Sequence, residues 1–413
     1  MNLRLSILAL TVVSFLISWV CTSMIKRLAP VIGFVDKPGG RKIHANPKPL
    51  GGGIAIFLGF ALPVIVGLAI VHFTEPTNLA AALTKGHQSD LYAYWSGIRA
   101  RTPAVLALVG AAFLMHVLGL LDDVRALGPF LKLFVQLAVT TGLVLMVPEL
   151  RAFSLPQLGV GAAPAIIVTI IWIAAITNAF NFLDNMDGLS AGVAAVSAAA
   201  FLVTTLLIDQ WFVAAAMALL LGALLGFLCF NFSPATIFMG DSGSLIIGLI
   251  LGALTVRTAS LKPGQTLGAG WYSLFAPVIV LAVPLYDLIV VSFIRLSRGK
   301  SPFVGDTNHF SHRLVARGMS RRTAVLCLYL VSAATAIAAI ILPYSPTWYV
   351  SVLIFVQTLL ILGVVMLLEQ HPLPVVPEAL PPQESQPEAP VEMASAGQKP
   401  RAIVGGVAQP SRL

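Results

Sequence analysis

An all-α polytopic membrane protein is the fold class that the sequence predicts, with about eleven transmembrane helices and a composite site on their cytoplasmic face. Three observations predict it. Of the 413 residues, 58% are hydrophobic and 10% charged, and the mean hydropathy is +0.92. Soluble domains carry roughly 25% charged residues. Apolar runs of about 17 to 25 residues recur from end to end, as bilayer-spanning helices require, and none alternates in polarity like a barrel strand. The polar clusters fall only in alternate loops, so they meet on one side.

In chain order the runs lie near residues 5–25, 51–73, 102–121, 133–148, 164–183, 188–208, 211–230, 245–259, 270–294, 324–343 and 348–368. The first follows Arg4 and lacks a small-residue cleavage site, so a retained span is expected. From an outside N-terminus, loops 26–50, 122–132, 184–187, 231–244 and 295–323 share one side and hold six, two, zero, zero and seven Lys or Arg residues. The opposite loops, 74–101, 149–163, 209–210 and 260–269, hold three, one, zero and one. Positive residues favour the cytoplasm, which places the first set there. Residues 1–368 thus form one integral membrane domain. Residues 369–413, rich in Pro, Glu and Ala, lack periodic apolar positions and are expected to be a disordered cytoplasmic tail.

The formal charge of +8 is carried by Lys and Arg flanking the spans. Topology and anionic lipid or substrate phosphates account for it, and no nucleic-acid partner is expected. Cys21, Cys229 and Cys327 are too far apart for a metal motif and read as structural thiols.

Five clusters share the cytoplasmic side. Asp122 and Asp123 end the third span, where adjacent carboxylates suit a divalent cation or a general base. In "NAFNFLDNMDGL", Asn178, Asn181, Asp184 and Asp187 recur every third residue and are expected along one side of a helix end, able to read a nucleobase or hold a hydrated metal. In "NFSPATIFMGDSGS", Asn231 and Phe238 precede Asp241, and small residues open the next span. That arrangement is expected to leave backbone N–H groups free for phosphate, with the acid holding Mg²⁺ against it. "DTNHFSHRL" brings Asp306, His309, His312 and Arg313, without the Glu of a zinc protease motif, and imidazoles donating to a diphosphate fit better. "GGRKIHANPKPLGGG" sets Arg41, Lys42, His44 and Lys48 before Gly51, Gly52 and Gly53, as a flexible phosphate clamp would. Together these point to phosphoryl or phosphosugar transfer with a divalent metal, from a soluble donor to a lipid. A secondary transporter, the alternative, would carry its polar groups near the bilayer midplane rather than at span ends.

On "RKIHANPKPLGGG", "GLLDDV", "NAFNFLDNMDGLSAG", "FNFSPATIFMGDSGSLIIG" and "PLYDLIVV...RGKSPFVGDTNHFSHRL", in that order, residues 1–368 resemble the polyprenyl-phosphate N-acetylhexosamine-1-phosphate transferases of the WecA and TagO type, related to MraY. The resemblance implies transfer of N-acetylhexosamine-1-phosphate, with UDP-GlcNAc the expected donor, to undecaprenyl or another polyprenyl phosphate with release of UMP, in the bacterial inner membrane. It implies Mg²⁺, replaceable by Mn²⁺, with Asp241 the principal ligand and Asp184 a second. Asp122 and Asp123 would orient or deprotonate the lipid phosphate. Asn178, Asp184, Asp187, Asn231 and Phe238 would line the nucleoside and metal pocket, His309 and His312 would lie near the diphosphate and sugar, and Lys48, Lys132 and Arg313 would bind substrate. A homodimer is compatible with this scheme. Asn185 stands where the family commonly has glycine, and "HFSH" replaces a His-x-His pair.

Overall fold

A computed structural model describes residues 3–36, 47–74, 88–151, 162–259, 275–301, 308–342 and 347–370. Arg41, Lys42, His44, Asp306 and the tail beyond residue 370 lie outside the described residues. The helices are α1 (Leu3–Val31), α2 (Gly52–Phe73), α3 (Gln88–Val124), α4 (Pro129–Met146), α5 (Ala162–Leu183), α6 (Leu189–Leu207) and α7 (Trp211–Asn231). They continue as α8 (Asp241–Ala259), α9 (Phe275–Val280), α10 (Ala282–Ser297), α11 (Phe310–Ala316), α12 (Arg321–Ile340) and α13 (Trp348–Gln370). A two-residue antiparallel ribbon joins β1 (Val35–Asp36) to β2 (Lys48–Pro49), pairing Val35 with Pro49.

Among the described residues, 10 helices are long and apolar enough to cross a membrane. The expected span at 270–294 differs: its described part is broken into α9 and α10 at Leu281. Pro284 supplies the reason. With no N–H to give to the carbonyl four residues back, and a ring that crowds that carbonyl, it interrupts the helix and starts a new one.

The lipid-facing helices and the core helix differ in burial as well as in hydropathy. In the most apolar window of α8, 89% of residues are buried, against 22% in α1 and in α13. Inside a bilayer the hydrophobic effect does not drive helices together, so close packing and polar contacts must. Two small-residue pairs four apart provide the closeness. Gly222 and Gly226 on α7 let α1 approach so near that a Cβ at Gly222 would sit 2.2 Å from the Thr11 carbonyl oxygen. On α8, Gly248 and Gly252 face α5: a Cβ at Gly248 would lie 2.3 Å from Cα of Thr177, and one at Gly252 3.1 Å from Cα of Ile173. Hydroxyls add direct bonds, Ser14 donating to Gly59 O at 2.9 Å and Ser18 to Ala223 O at 2.7 Å. The result fixes α8 between α3 and α5, with its first turn at the end where the polar loops gather.

Candidate active site

The first turn of α8 is where the polar segments converge. Glycines let them in. A Cβ at Gly53 would stand 2.3 Å from the Gly243 nitrogen, and one at Gly119 would stand 2.3 Å from the Ser242 nitrogen. The segment before α8 is stitched to the chain leading into α2: Phe238 N donates to Pro49 O, Gly52 N to Phe238 O and Gly53 N to Met239 O, at 2.9, 3.0 and 3.0 Å. His116, buried on α3, contacts Ser242 O through Nδ1 at 3.0 Å.

Asp123 is the partner of this helix start. Its Oδ1 accepts from Asp241 N at 2.7 Å and its Oδ2 from Ser242 N at 3.2 Å. A carboxylate here satisfies two of the unpaired N–H groups and meets the positive end of the helix dipole. The approach requires glycine at 240, which has φ +75° and whose Cβ would lie 2.5 Å from Asp123 Oδ2. The expectation that these N–H groups are free for a phosphate is therefore corrected. Asp123 occupies them, and the N–H groups of Gly243 and Ser244 turn back to Gly240 O at 3.0 and 3.2 Å.

Asp241 itself faces two donors. Asn181 Nδ2 reaches its Oδ1 at 2.9 Å and also Ser244 Oγ at 3.0 Å, while the Lys132 ammonium bonds its Oδ2. Lys132 also reaches Asp122 Oδ2 at 3.2 Å, and Asp122 Oδ1 accepts from Leu127 N at 2.7 Å, closing the turn that brings Lys132 back. Asp122 and Asp241, from different helices, thus share one cation.

The row expected at every third residue does not continue as a helix. α5 ends at Leu183, and only Asn178 and Asn181 are on it. Asn181 faces Asp241, whereas Asn178 donates to Gln136 on α4 at 2.7 Å and to Ala174 O at 2.8 Å, tying two helices together. Asp187 accepts from Ala235 N at 2.9 Å, and Lys48 donates to the carbonyl of the same residue. Asn231 is buried and holds two loops, accepting from Gly188 N at 3.0 Å and donating to Ile237 O at 2.9 Å. The Phe238 ring lies 6.0 Å from the Lys48 ammonium.

Asp184 is different from these. Desolvation first, then the charges of Asp241, Asp123 and Asp187, push its carboxyl well above the usual carboxylate range. It accepts no hydrogen bond from any described residue. A carboxylate in such surroundings needs a cation or a proton. Among the described residues no three His, Cys, Asp or Glu side chains form a ready-made metal shell.

The histidine segment docks beside this cluster. Ser311 donates to Asn185 Oδ1 at 2.5 Å, and the Phe182 ring meets the His309 ring edge-on with centroids 5.8 Å apart. His309 is buried, with Nδ1 at 2.9 Å from Asp287 Oδ2 and Nε2 at 3.4 Å from an Arg295 nitrogen. The His312 ring lies 6.4 Å from that of His309, and burial, with the Arg321 charge adding to it, lowers its pKa. Arg313 forms a bidentate pair with Glu369 of α13, at 2.8 and 3.1 Å, and so fastens α11 rather than standing open to a ligand. Sequence reasoning passed over Asp287, Arg295 and Gln136. For Asp287 the signal was present: an acid inside the apolar run "VPLYDLIVV".

The sequence profile described as "Glycosyl transferase family 4" matches residues 105–259, which include the acid cluster but neither Lys48 nor the histidine segment. Over 84% of this chain and 87% of the relative, the chain is 34% identical to a Bacillus subtilis protein named probable undecaprenyl-phosphate N-acetylglucosaminyl 1-phosphate transferase. It is 35% identical to a Mycobacterium tuberculosis decaprenyl-phosphate N-acetylglucosaminephosphotransferase, over 76% of this chain and 77% of the relative. A Yersinia pestis undecaprenyl-phosphate alpha-N-acetylglucosaminyl 1-phosphate transferase is 29% identical over 84% of this chain and 88% of the relative.

Proposed function

Because the chain belongs to glycosyl transferase family 4, we propose that it transfers N-acetylglucosamine-1-phosphate from a UDP-sugar to a polyprenyl phosphate and releases UMP. The observation that carries this reading is the convergence of Asp122, Asp123, Asp184 and Asp241, from two helices and a loop, at one end of the bundle, where a lipid phosphate would lie in reach. The charge bias of the loops supports placing that end in the cytoplasm of a bacterial inner membrane. The acid cluster is built within one chain, so the chemistry needs no second copy.

An oxygen of the lipid phosphate attacks the sugar-linked phosphorus of the donor, and the bond from that phosphorus to the bridging oxygen breaks, UMP leaving with the electron pair. Little covalent work falls to the protein, and catalysis is positioning and charge neutralisation. The donor set fits Mg²⁺: oxygen ligands only, an Asp184 carboxylate without a hydrogen-bond donor, and Asp241 beside it. Mg²⁺ keeps several waters and is held through one or two carboxylates plus phosphates, so a three-carboxylate shell is not required. Asp241 and Asp184 would hold the ion, which neutralises charge developing on the diphosphate. Asn181 orients Asp241, Asp123 fixes the helix that carries it, and Lys132 balances Asp122 against Asp241. A lipid phosphate monoester is already largely anionic at pH 7, so removing its last proton offers little.

Purified protein given Mg²⁺, undecaprenyl phosphate and each UDP-N-acetylhexosamine in turn should make a lipid-linked sugar and UMP, with UDP-GlcNAc preferred. Absence of lipid product from every donor overturns the reading.

A further inference from the structure

We propose that Asp287 is a positioning residue for this transfer: its carboxylate holds His309 in the Nδ1–H tautomer and anchors the start of α11 against the acid cluster. The inference rests on the transferase reading for its kinetic consequence and on geometry for the rest. Asp287 lies in the middle of α10 with 0% exposure, between buried Val283 and Val291. Burying a carboxylate is costly unless every lone pair is used. Here both oxygens are used by one turn of chain. Oδ1 accepts from Phe310 N at 2.6 Å and Oδ2 faces His309 Nδ1 at 2.9 Å.

That arrangement assigns the imidazole. A carboxylate only accepts, so Nδ1 carries the hydrogen. On the other side of the ring, Nε2 faces an Arg295 guanidinium nitrogen at 3.4 Å, which only donates, so Nε2 presents its lone pair. The two partners demand the same tautomer. Arg295 in turn lies over the Phe182 ring at 5.0 Å, and Phe182 abuts the turn that carries Asp184. The same docking brings Ser311 to Asn185 and His312 beside His309. Among the described residues, the titratable groups around His309 are Asp287 and Arg295 of α10 and His312 of α11.

Asp287→Asn separates anchoring from tautomer control. Its amide oxygen must still accept from Phe310 N, which turns the NH₂ toward His309 Nδ1. The imidazole must then move its hydrogen to Nε2, where it meets the donor of Arg295. The start of α11 stays tied while the ring is reversed.

In ¹⁵N-histidine spectra of detergent-solubilised protein, with His309 assigned by its loss in His309→Gln, wild type should show neutral Nδ1–H and Asp287→Asn should show Nε2–H. With UDP-GlcNAc, Asp287→Asn should lose about 10- to 100-fold in kcat while the lipid-phosphate KM is unchanged. Combined with His309→Gln it should cost little more than His309→Gln alone, because the two act as a unit. Wild-type turnover in Asp287→Asn, full multiplication of the two losses, or an Nε2–H tautomer in wild type overturns the proposal. If wild type made no lipid-linked sugar, the transferase reading would fall, and the nitrogen shifts would still decide whether Asp287 sets the tautomer.

Discussion

Two carboxylates in this molecule do the same local work in opposite surroundings. Asp123 takes the first N–H groups of α8, and Asp287 takes the first N–H of α11. Around Asp123 stand Asp241, Asp184 and Asp122, with Lys132 among them; around Asp287 stand His309, His312 and Arg295. One end of the polar surface therefore seeks a cation, whereas at the other Arg295 and Arg313 stand beside the acids Asp287 and Glu369. The comparison teaches that a buried acid capping a helix is neutral information until its neighbours are known.

The acid end should break most completely at Asp241. Asp241→Asn, isosteric and still able to meet Asn181, should lose turnover by about 10³-fold or more at every Mg²⁺ concentration while the protein remains folded in detergent. Wild-type rates would remove Asp241 from the site.

Asp123 comes next, because it acts through the placement of α8. Asp123→Asn weakens one of its two N–H contacts and should cost about 0.5–2 kcal/mol of stability, read from thermal melting. Its rate loss, about 10- to 100-fold, should be nearly independent of pH and partly relieved by Mg²⁺. Strong recovery at alkaline pH would make Asp123 a base instead of a placing group.

Asp184 sharpens the contrast without using activity. Its folded carboxyl binds a proton more tightly than the unfolded chain does, so the stability this provides is present at acid pH and is lost as pH rises through the raised value. At neutral pH, Asp184→Asn should raise the melting temperature of the metal-free protein and flatten its pH dependence. Mg²⁺ should stabilise wild type more than the variant, and equal stabilisation would exclude Asp184 as a ligand.

At the histidine end the smallest catalytic effect is expected from Arg313. Arg313→Gln leaves Glu369 without its bidentate partner and should cost about 1–3 kcal/mol of stability. The KM values for donor and lipid should stay unchanged. A large rise in donor KM would return Arg313 to the list of substrate ligands.

Much of the fold was legible because hydropathy is local. The expected spans at 51–73, 188–208 and 211–230 match α2, α6 and α7 within a residue. The broken span was not readable from Pro284 alone, since Pro63 and Pro103 stand inside α2 and α3 without breaking them. Asn178 shows the limit. Its spacing matched Asn181 and Asp184, yet α5 ends between them, and Gln136 on another helix is what takes up Asn178.

By itself the sequence determined that this chain lives in a membrane and about where most of its spans lie, and it led to the expectation that its acids, amides and histidines gather at one end. Those properties follow from composition within a window of one helix. Only the tertiary structure decided which of them meet: Asp123 with Ser242, 119 positions apart, Lys132 with Asp241, 109 apart, and Asp287 with His309, 22 apart. The physical reason is that these pairs depend on how closely glycines let α8 approach α2, α3 and α5, and on where α5 and α10 break. A carboxylate's role is set by what lies within about 3 Å of it, and that distance is fixed by packing between segments remote in the chain.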